Sequence, residues 1–155
     1  MEIKIISTGK TKEKYLQSGL QLYLKRLKHY GRINYIEGKG HKGKSDPMDQ
    51  LKAESEWMLS QIGSEDYVIL LDEKGNTLSS RGLARQLNQW MSHLSHPLCF
   101  IIGGAYGFDA SLRSRSQYTL SLSAMTFSHQ MVRLIFCEQL YRAFTILAGQ
   151  SYHND

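Results

Sequence analysis

The stretch Phe100-Ile101-Ile102-Gly103-Gly104-Ala105-Tyr106-Gly107-Phe108 decides how this chain is read. Three apolar residues run straight into paired glycines, and a third glycine follows at 107. A short continuous apolar run closed by turn residues predicts a fully buried strand over Leu98–Ile102. The glycines after it mark a point where the backbone bends sharply or comes close to something. In open α/β sheets, ligands sit just outside the carboxyl ends of the strands, so this turn is the first place expected to hold one.

Upstream, Tyr67–Leu71 is a second continuous apolar run and predicts another buried strand. Asp72-Glu73-Lys74-Gly75-Asn76 is expected to turn the chain. Ser79 then caps a helix whose stripe is Leu83, Leu87, Trp90 and Met91, with Leu78 and Leu83 spaced as a hydrophobic staple. His93 and His96 lie beyond this stripe beside Pro97 with no third ligand near, so they predict surface histidines and not a metal site. At the start of the chain, Glu2–Ser7 alternates and predicts a strand. Thr8-Gly9-Lys10-Thr11 opens a helix from about Lys12 to Tyr30, with Leu16, Leu20, Leu24 and Leu27 on one face. Gly9-Lys10-Thr11 has the tail of a phosphate-binding loop, but the glycine required five residues before Gly9 is replaced by Lys4. Ile33–Glu37 predicts a short strand, and the basic loop after it, with Lys39, Lys42 and Lys44, reads as a solvated loop or as a mobile arm for phosphates, its charge density favouring the arm. Asp46 and Pro47 are an N-cap and a first-turn proline, and open a helix that ends near Gly63.

Downstream of the glycine turn, Asp109 caps a short helix through Arg115, and Tyr118–Leu122 is a last strand. Leu122-Ser123-Ala124-Met125-Thr126-Phe127 is neutral and small where loops are ordinarily polar, which predicts that something apolar covers it. Ser128 caps the final helix, with Phe127 stapled to Val132. That helix runs to about Ala148 and is apolar on nearly every side, which predicts burial against both its own sheet and a second subunit. Arg133, Glu138 and Arg142 interrupt it, and buried charges require partners or a task. Strands alternate with helices throughout, so the class is α/β with a mainly parallel sheet flanked by helices. No repeat or linker divides the 155 residues, and one domain over 1–155 is expected.

Lys plus Arg number 19 against 14 for Asp plus Glu, giving a net charge of +5, which favours a polyanionic partner. Hydrophobic residues are 41% and charged residues 21% of the chain, the profile of a globular protein and not of a membrane span. Cys99 and Cys137 sit in apolar runs without Cys-x-x-Cys spacing and predict buried thiols in a reducing compartment. The opening Met-Glu-Ile-Lys-Ile-Ile lacks the pattern of a secretory signal, so the expected location is cytoplasmic.

Taken together, LLDEKG (70–75), FIIGGAYGF (100–108), LSLSAMTFSHQMVRLIFCEQLYRA (120–143) and the terminal Tyr152-His153 resemble the ribosomal RNA large subunit methyltransferase H family. These are small members of the SPOUT class of α/β-knot enzymes. The resemblance implies a C-terminal trefoil knot, a homodimer, and S-adenosylmethionine as cofactor with no metal. It implies methylation of ring nitrogen 3 of a pseudouridine in 23S rRNA, within the large subunit or the whole ribosome, and no membrane partner. Carried over to this chain, the cofactor contacts fall on Leu71, Gly103 and the run Leu122, Ser123, Ala124, Met125, Thr126 and Phe127. His153, Tyr152 and Arg142 are the candidate catalytic residues, His153 and Tyr152 for positioning or proton removal and Arg142 for steadying charge on the ring. A helical pair between Glu138 and Arg142, four apart, is the alternative reading of that arginine. Two departures stand out: Ser128 where the family often has Pro, and Asn154-Asp155 where it often has Arg or Lys after Tyr-His.

Two rival readings belong to other classes. A non-catalytic ribosome-binding factor would keep the fold without the cofactor loop, whereas that loop is intact here. A dinucleotide oxidoreductase needs G-x-G-x-x-G, and Gly103-Gly104-x-x-Gly107 is offset from it.

Overall fold

The computed structural model describes residues 1–40 and 46–154, so Lys42, Lys44 and Asp155 lie outside the described residues. In chain order the elements are β1 (Glu2–Ser7), α1 (Lys14–Leu27), β2 (Arg32–Glu37), α2 (Pro47–Gln61) and β3 (Tyr67–Thr77). There follow α3 (Ser80–His93), β4 (Leu98–Ile102), α4 (Ala110–Arg115), β5 (Tyr118–Ser121) and α5 (Met131–Leu147). The five strands form one sheet in the order β2-β1-β4-β3-β5. Every pair is parallel.

Alternation along the strands sorts the core into two layers. One face carries Ile3, Ile5, Ile69, Phe100 and Ile102 against α1, α3 and α5, through Leu20, Leu27, Leu87, Trp90, Phe136 and Leu140. The opposite face carries Ile6, Val68, Leu70, Cys99 and Ile101 against Met58 of α2 and Leu112 of α4. β4, expected to be fully buried, is buried at all five positions and lies at the centre of the sheet. Both cysteines are buried and free, and burial pushes each thiol up to about 12.

The expected caps form. Asp46 accepts from the Met48 amide, Ser79 from Gly82 and Asp109 from Leu112. At α5 the hydroxyl of Ser128 accepts from the Met131 amide at 3.0 Å and its carbonyl from Val132 at 3.0 Å. α1 is shorter than expected at both ends. The Lys12 amide is drawn to Gln130 Oε1, and the Thr11 carbonyl accepts from Gln17 Nε2. At the other end, His29 and Tyr30 bond back three residues, to Arg26 and Leu27, in a tightened turn.

The segment expected to turn the chain at 72–76 does not end its strand. β3 continues to Thr77, with Leu71 and Asn76 both opposite Leu120 across a break in register. Residues 72–75 therefore bow out of a strand that then resumes pairing. Gly75 makes this possible: a Cβ there would lie 2.7 Å from the Thr119 carbonyl. The polar composition of the segment signals a turn, but tertiary pairing with β5 overrides it. The last strand likewise stops at Ser121, one residue before the expected Leu122.

α5 crosses the sheet face and packs on α1 and α3. Phe136, Cys137, Leu140, Ala143 and Phe144 are buried, while Leu147 is exposed and Leu134, Ile135 and Tyr141 are half-buried. Within one chain, the second apolar side of the helix is thus only partly covered. Among the described residues no helix is long and apolar enough to cross a membrane.

Candidate functional site

Because the strands are parallel, their carboxyl ends share one edge of the sheet. At that edge a cavity of about 380 Å³ opens between β3, β4 and β5. Its floor is Leu71, Ile102 and Leu120, and the glycine turn, Gly103 to Gly107, forms one wall. Leu122, Ser123, Met125, Thr126 and Phe127 form the facing wall, and His129 and Val132 close it at the start of α5. Of the residues expected to bind a cofactor, Ala124 alone does not line the cavity.

The neutral loop is held by its own small polar side chains. Ser121 Oγ donates to the Ser123 carbonyl at 2.9 Å, and Ser123 Oγ accepts from the Met125 amide at 3.0 Å. Thr126 Oγ1 donates to Glu73 Oε2, tying the loop to the bowed segment of β3. The expected apolar cover is absent within the single chain, where Met125 is 76% exposed.

The glycine turn is packed tightly against its own backbone. A Cβ on Gly103 would lie 3.0 Å from the Gly107 carbonyl oxygen and 3.1 Å from the Phe108 ring. A Cβ on Gly104 would lie 2.6 Å from Glu54 Oε2. Gly107 has φ +75°, a left-handed conformation that favours glycine.

Sequence reasoning missed several polar residues at this cavity. Asp72 and Arg113 line it and pair at 2.8 Å. Burial raises the Asp72 carboxyl, but the Lys74 amide and the Arg113 guanidinium outweigh it and hold the group below its ordinary value. His129 also lines the cavity. Burial lowers its affinity for a proton, and so does the Arg133 guanidinium, while Glu54 acts in the opposite sense. Asp72 was concealed in a segment read as a turn, and His129 in the first turn of a helix read for its cap.

Arg133 is fully buried and binds the loop after β1. It donates to the carbonyls of Thr8, Gly9 (2.9 Å) and His129 (3.1 Å) and to Thr11 Oγ1 (3.1 Å), with Glu37 at 3.5 Å. This is the partner set that a charge in an apolar helix demands.

Tyr152, His153 and Arg142 come together, but away from the cavity. Tyr152 Oη lies 3.1 Å from Glu138 and 3.1 Å from Tyr23 Oη. Arg142 pairs with Glu138, as the helical-pair reading has it, and Arg142 Nη1 stands 3.3 Å from His153 Nδ1. Burial pushes the Tyr152 phenol up, as do Tyr23 and Glu138. None of the three lines the cavity. Arg142 follows Val132 by ten residues, about 15 Å along the helix at its rise per residue. Elsewhere, His93 Nδ1 lies 2.9 Å from the Gln89 carbonyl, and His96 lies 3.8 Å from Glu65. Among the described residues no three His, Cys, Asp or Glu side chains stand together as a metal site.

A family model described as "Predicted SPOUT methyltransferase" matches residues 1–153. A relative from Desulfotalea psychrophila, named Ribosomal RNA large subunit methyltransferase H, is 43% identical over 155 residues, covering 99% of each chain. Relatives of the same name from Flavobacterium johnsoniae and Halothermothrix orenii are 45% and 40% identical, each covering 99% of both chains.

Proposed function

The chain belongs to the SPOUT methyltransferase family, and from that premise we propose that it methylates large-subunit ribosomal RNA with S-adenosylmethionine. The target is ring nitrogen 3 of a pseudouridine in 23S rRNA, within the large subunit or whole ribosome. The observation that carries this reading is the similarity of 40–45% over almost the whole of this chain and of relatives bearing that name. Residues 1–155 then form one domain, with the family's trefoil knot where the last third of the chain passes the sheet edge.

The cavity fits the cofactor. Its volume of about 380 Å³ lies in the range of small-molecule sites. Leu71, Ile102, Leu122 and Phe127 offer apolar walls for an adenine, and Asp72 is a carboxylate acceptor of the kind that ribose hydroxyls take. The paired glycines allow backbone to form the wall directly. When bound, the cofactor supplies a methyl group activated on a sulfonium. The protein's contribution is to orient donor and acceptor, which is worth roughly 7 kcal/mol or more in favourable models. Thr126, bonded to Glu73, fixes the loop that forms the facing wall. Tyr152 and His153 position the target ring or take its imide proton, and Arg142, set by Glu138, steadies charge on it.

Mass mapping of rRNA from a strain lacking this protein tests the reading. Purified large subunits or whole ribosomes from that strain should gain one methyl on a pseudouridine when incubated with the protein and S-adenosylmethionine. If neither gains mass, the reading is refuted.

Because the candidate catalytic cluster stands apart from the cavity of its own chain, the site is composite, completed by the second subunit of a homodimer. The partly covered side of α5 supports this, as an isologous interface would bury it. Sedimentation at micromolar concentration should give a dimer, and a stable monomer would remove the basis for a shared site.

The RNA surface is basic. Lys12, Lys14, Lys25, Lys28 and Lys39 are exposed, whereas Arg26 is held over the rings of Tyr23 and Tyr141 at 5.4 and 5.5 Å. Changing Lys39, Lys42 and Lys44 together to Ala should weaken ribosome binding. The salt slope should flatten by about two to three units, and cofactor affinity should stay unchanged. An unaltered slope would exclude this segment from the RNA contact. Since phosphate contacts are blind to sequence, intact subunits should be far better substrates than a free hairpin.

A further inference from the structure

We propose that the Glu54 carboxylate is the fixed counter-charge for the sulfonium of the methyl donor, so that the cavity distinguishes the cationic donor from its neutral product. This rests on the donor reading given above. Glu54 is on α2, behind the glycine turn, and only 8% exposed. Its Oε1 accepts from Gln50 Nε2 at 2.9 Å. Its Oε2 is buried and has no hydrogen-bond partner among the described residues. That oxygen lies 2.6 Å from where a Cβ on Gly104 would stand, with Thr8 Oγ1 at 3.0 Å from the same point. Gly104 lines the proposed donor cavity and Glu54 lines a second cavity behind it, so the Gly104 backbone stands between the carboxylate and the ligand space. His129, which lines the same cavity, also feels the charge of Glu54.

A buried carboxylate with one oxygen unanswered is costly unless a cation arrives. Among the described residues, no cation bonds to that oxygen. Arg133 is committed to the carbonyls of Thr8 and Gly9, to Thr11 and to Glu37. His129 is disposed to stay neutral by burial and by Arg133. Lys12 acts on His129 from the exposed loop after β1, and exposed Lys39 lines the second cavity together with Glu54 and Trp57 without a hydrogen bond to the carboxylate. The methyl donor brings a permanent positive charge at sulfur. Methyl transfer leaves the electron pair of the broken carbon–sulfur bond on sulfur, so the ligand becomes neutral there and the attraction ends. The same carboxylate thus holds the donor and releases the product.

The test is calorimetric titration of S-adenosylmethionine and S-adenosylhomocysteine into the full-length protein and its Glu54→Gln variant. Both ligands carry the same ammonium, carboxylate and adenosine and differ only in the sulfonium methyl and its charge, and the wild-type comparison takes account of the methyl's own contacts. Glu54→Gln should weaken S-adenosylmethionine about tenfold and leave S-adenosylhomocysteine within about twofold. Equal losses for both, or no loss, would overturn the proposal. If the variant does not fold, sinefungin gives the second measurement on the unaltered protein, because it carries an amine in place of the methylsulfonium. Its affinity relative to S-adenosylhomocysteine should fall as rising pH neutralises that amine, and a ratio independent of pH would overturn the proposal. A protein that binds neither S-adenosyl compound would refute the donor reading itself, a result distinct from either pattern.

Discussion

Gly103→Val should lower S-adenosylmethionine affinity about 10- to 100-fold, measured by calorimetry, while the protein remains folded. A Cβ at this position would not simply reach into ligand space, as a reading of the glycine alone suggests. It would stand 3.0 Å from the Gly107 carbonyl and 3.1 Å from the Phe108 ring, so the turn itself must open. Overpacking of this kind costs about 1–3 kcal/mol. The glycine turn is a wall of the cavity, so that distortion falls on the ligand, at tenfold for each 1.4 kcal/mol or so. The core strand Leu98–Ile102 ends before the change and keeps its pairing with β1 and β3. A folded variant with unaltered affinity would place the cofactor elsewhere.

Arg133→Met should produce the larger loss of stability. Methionine is apolar and of similar length, so it suits the helix, but it leaves the carbonyls of Thr8 and Gly9 and the Thr11 hydroxyl without their donor. Glu37 loses its buried cation as well. Removing one partner from such a network costs about 3–5 kcal/mol. For a chain of this length each kcal/mol moves Tm by about 2–4 °C, so calorimetric scanning should show a drop of roughly 10 °C. A variant melting within about 2 °C of the parent would mean that the network is replaceable by packing.

How much of this was legible in the sequence follows from what local pattern encodes. β4 was readable because five buried residues in a row leave no other assignment. Asp46, Ser79, Asp109 and Ser128 were readable because a cap is a local bargain between a side chain and an amide two or three residues away. The bowed segment of β3 was not readable, because its conformation is dictated by β5, some forty residues on, and its polar residues also suit a turn. For the same reason Asp72 and Arg113 were invisible as a pair. Glu54 carried no signal at all: among the charged residues of α2, Asp49, Lys52, Glu54 and Glu56, only the fold decides which one faces inward. Leu71, Gly103 and the Leu122–Phe127 run were reached by resemblance, and the structure sets all of them but Ala124 around one cavity. The terminal pair was reached by the same route and stands elsewhere on the chain.

The Arg133 clamp has a kinetic meaning. Its bonds to Thr8, Gly9 and Thr11 join residues 122 to 125 positions apart in sequence, and the Gln130 side chain closes a similar span to Lys10 and Lys12. Contacts this distant are slow to form, because loop-closure entropy is lost before they contribute anything. A nascent chain can bond Thr11 to Gln17 and Glu37 early, yet the carbonyls of Thr8 and Gly9 gain their Arg133 donor only when the last helix emerges. The cavity proposed for the donor, bounded on one side by that same helix, is therefore completed last, and a chain truncated before residue 131 should be unable to retain the cofactor however well its early strands pair.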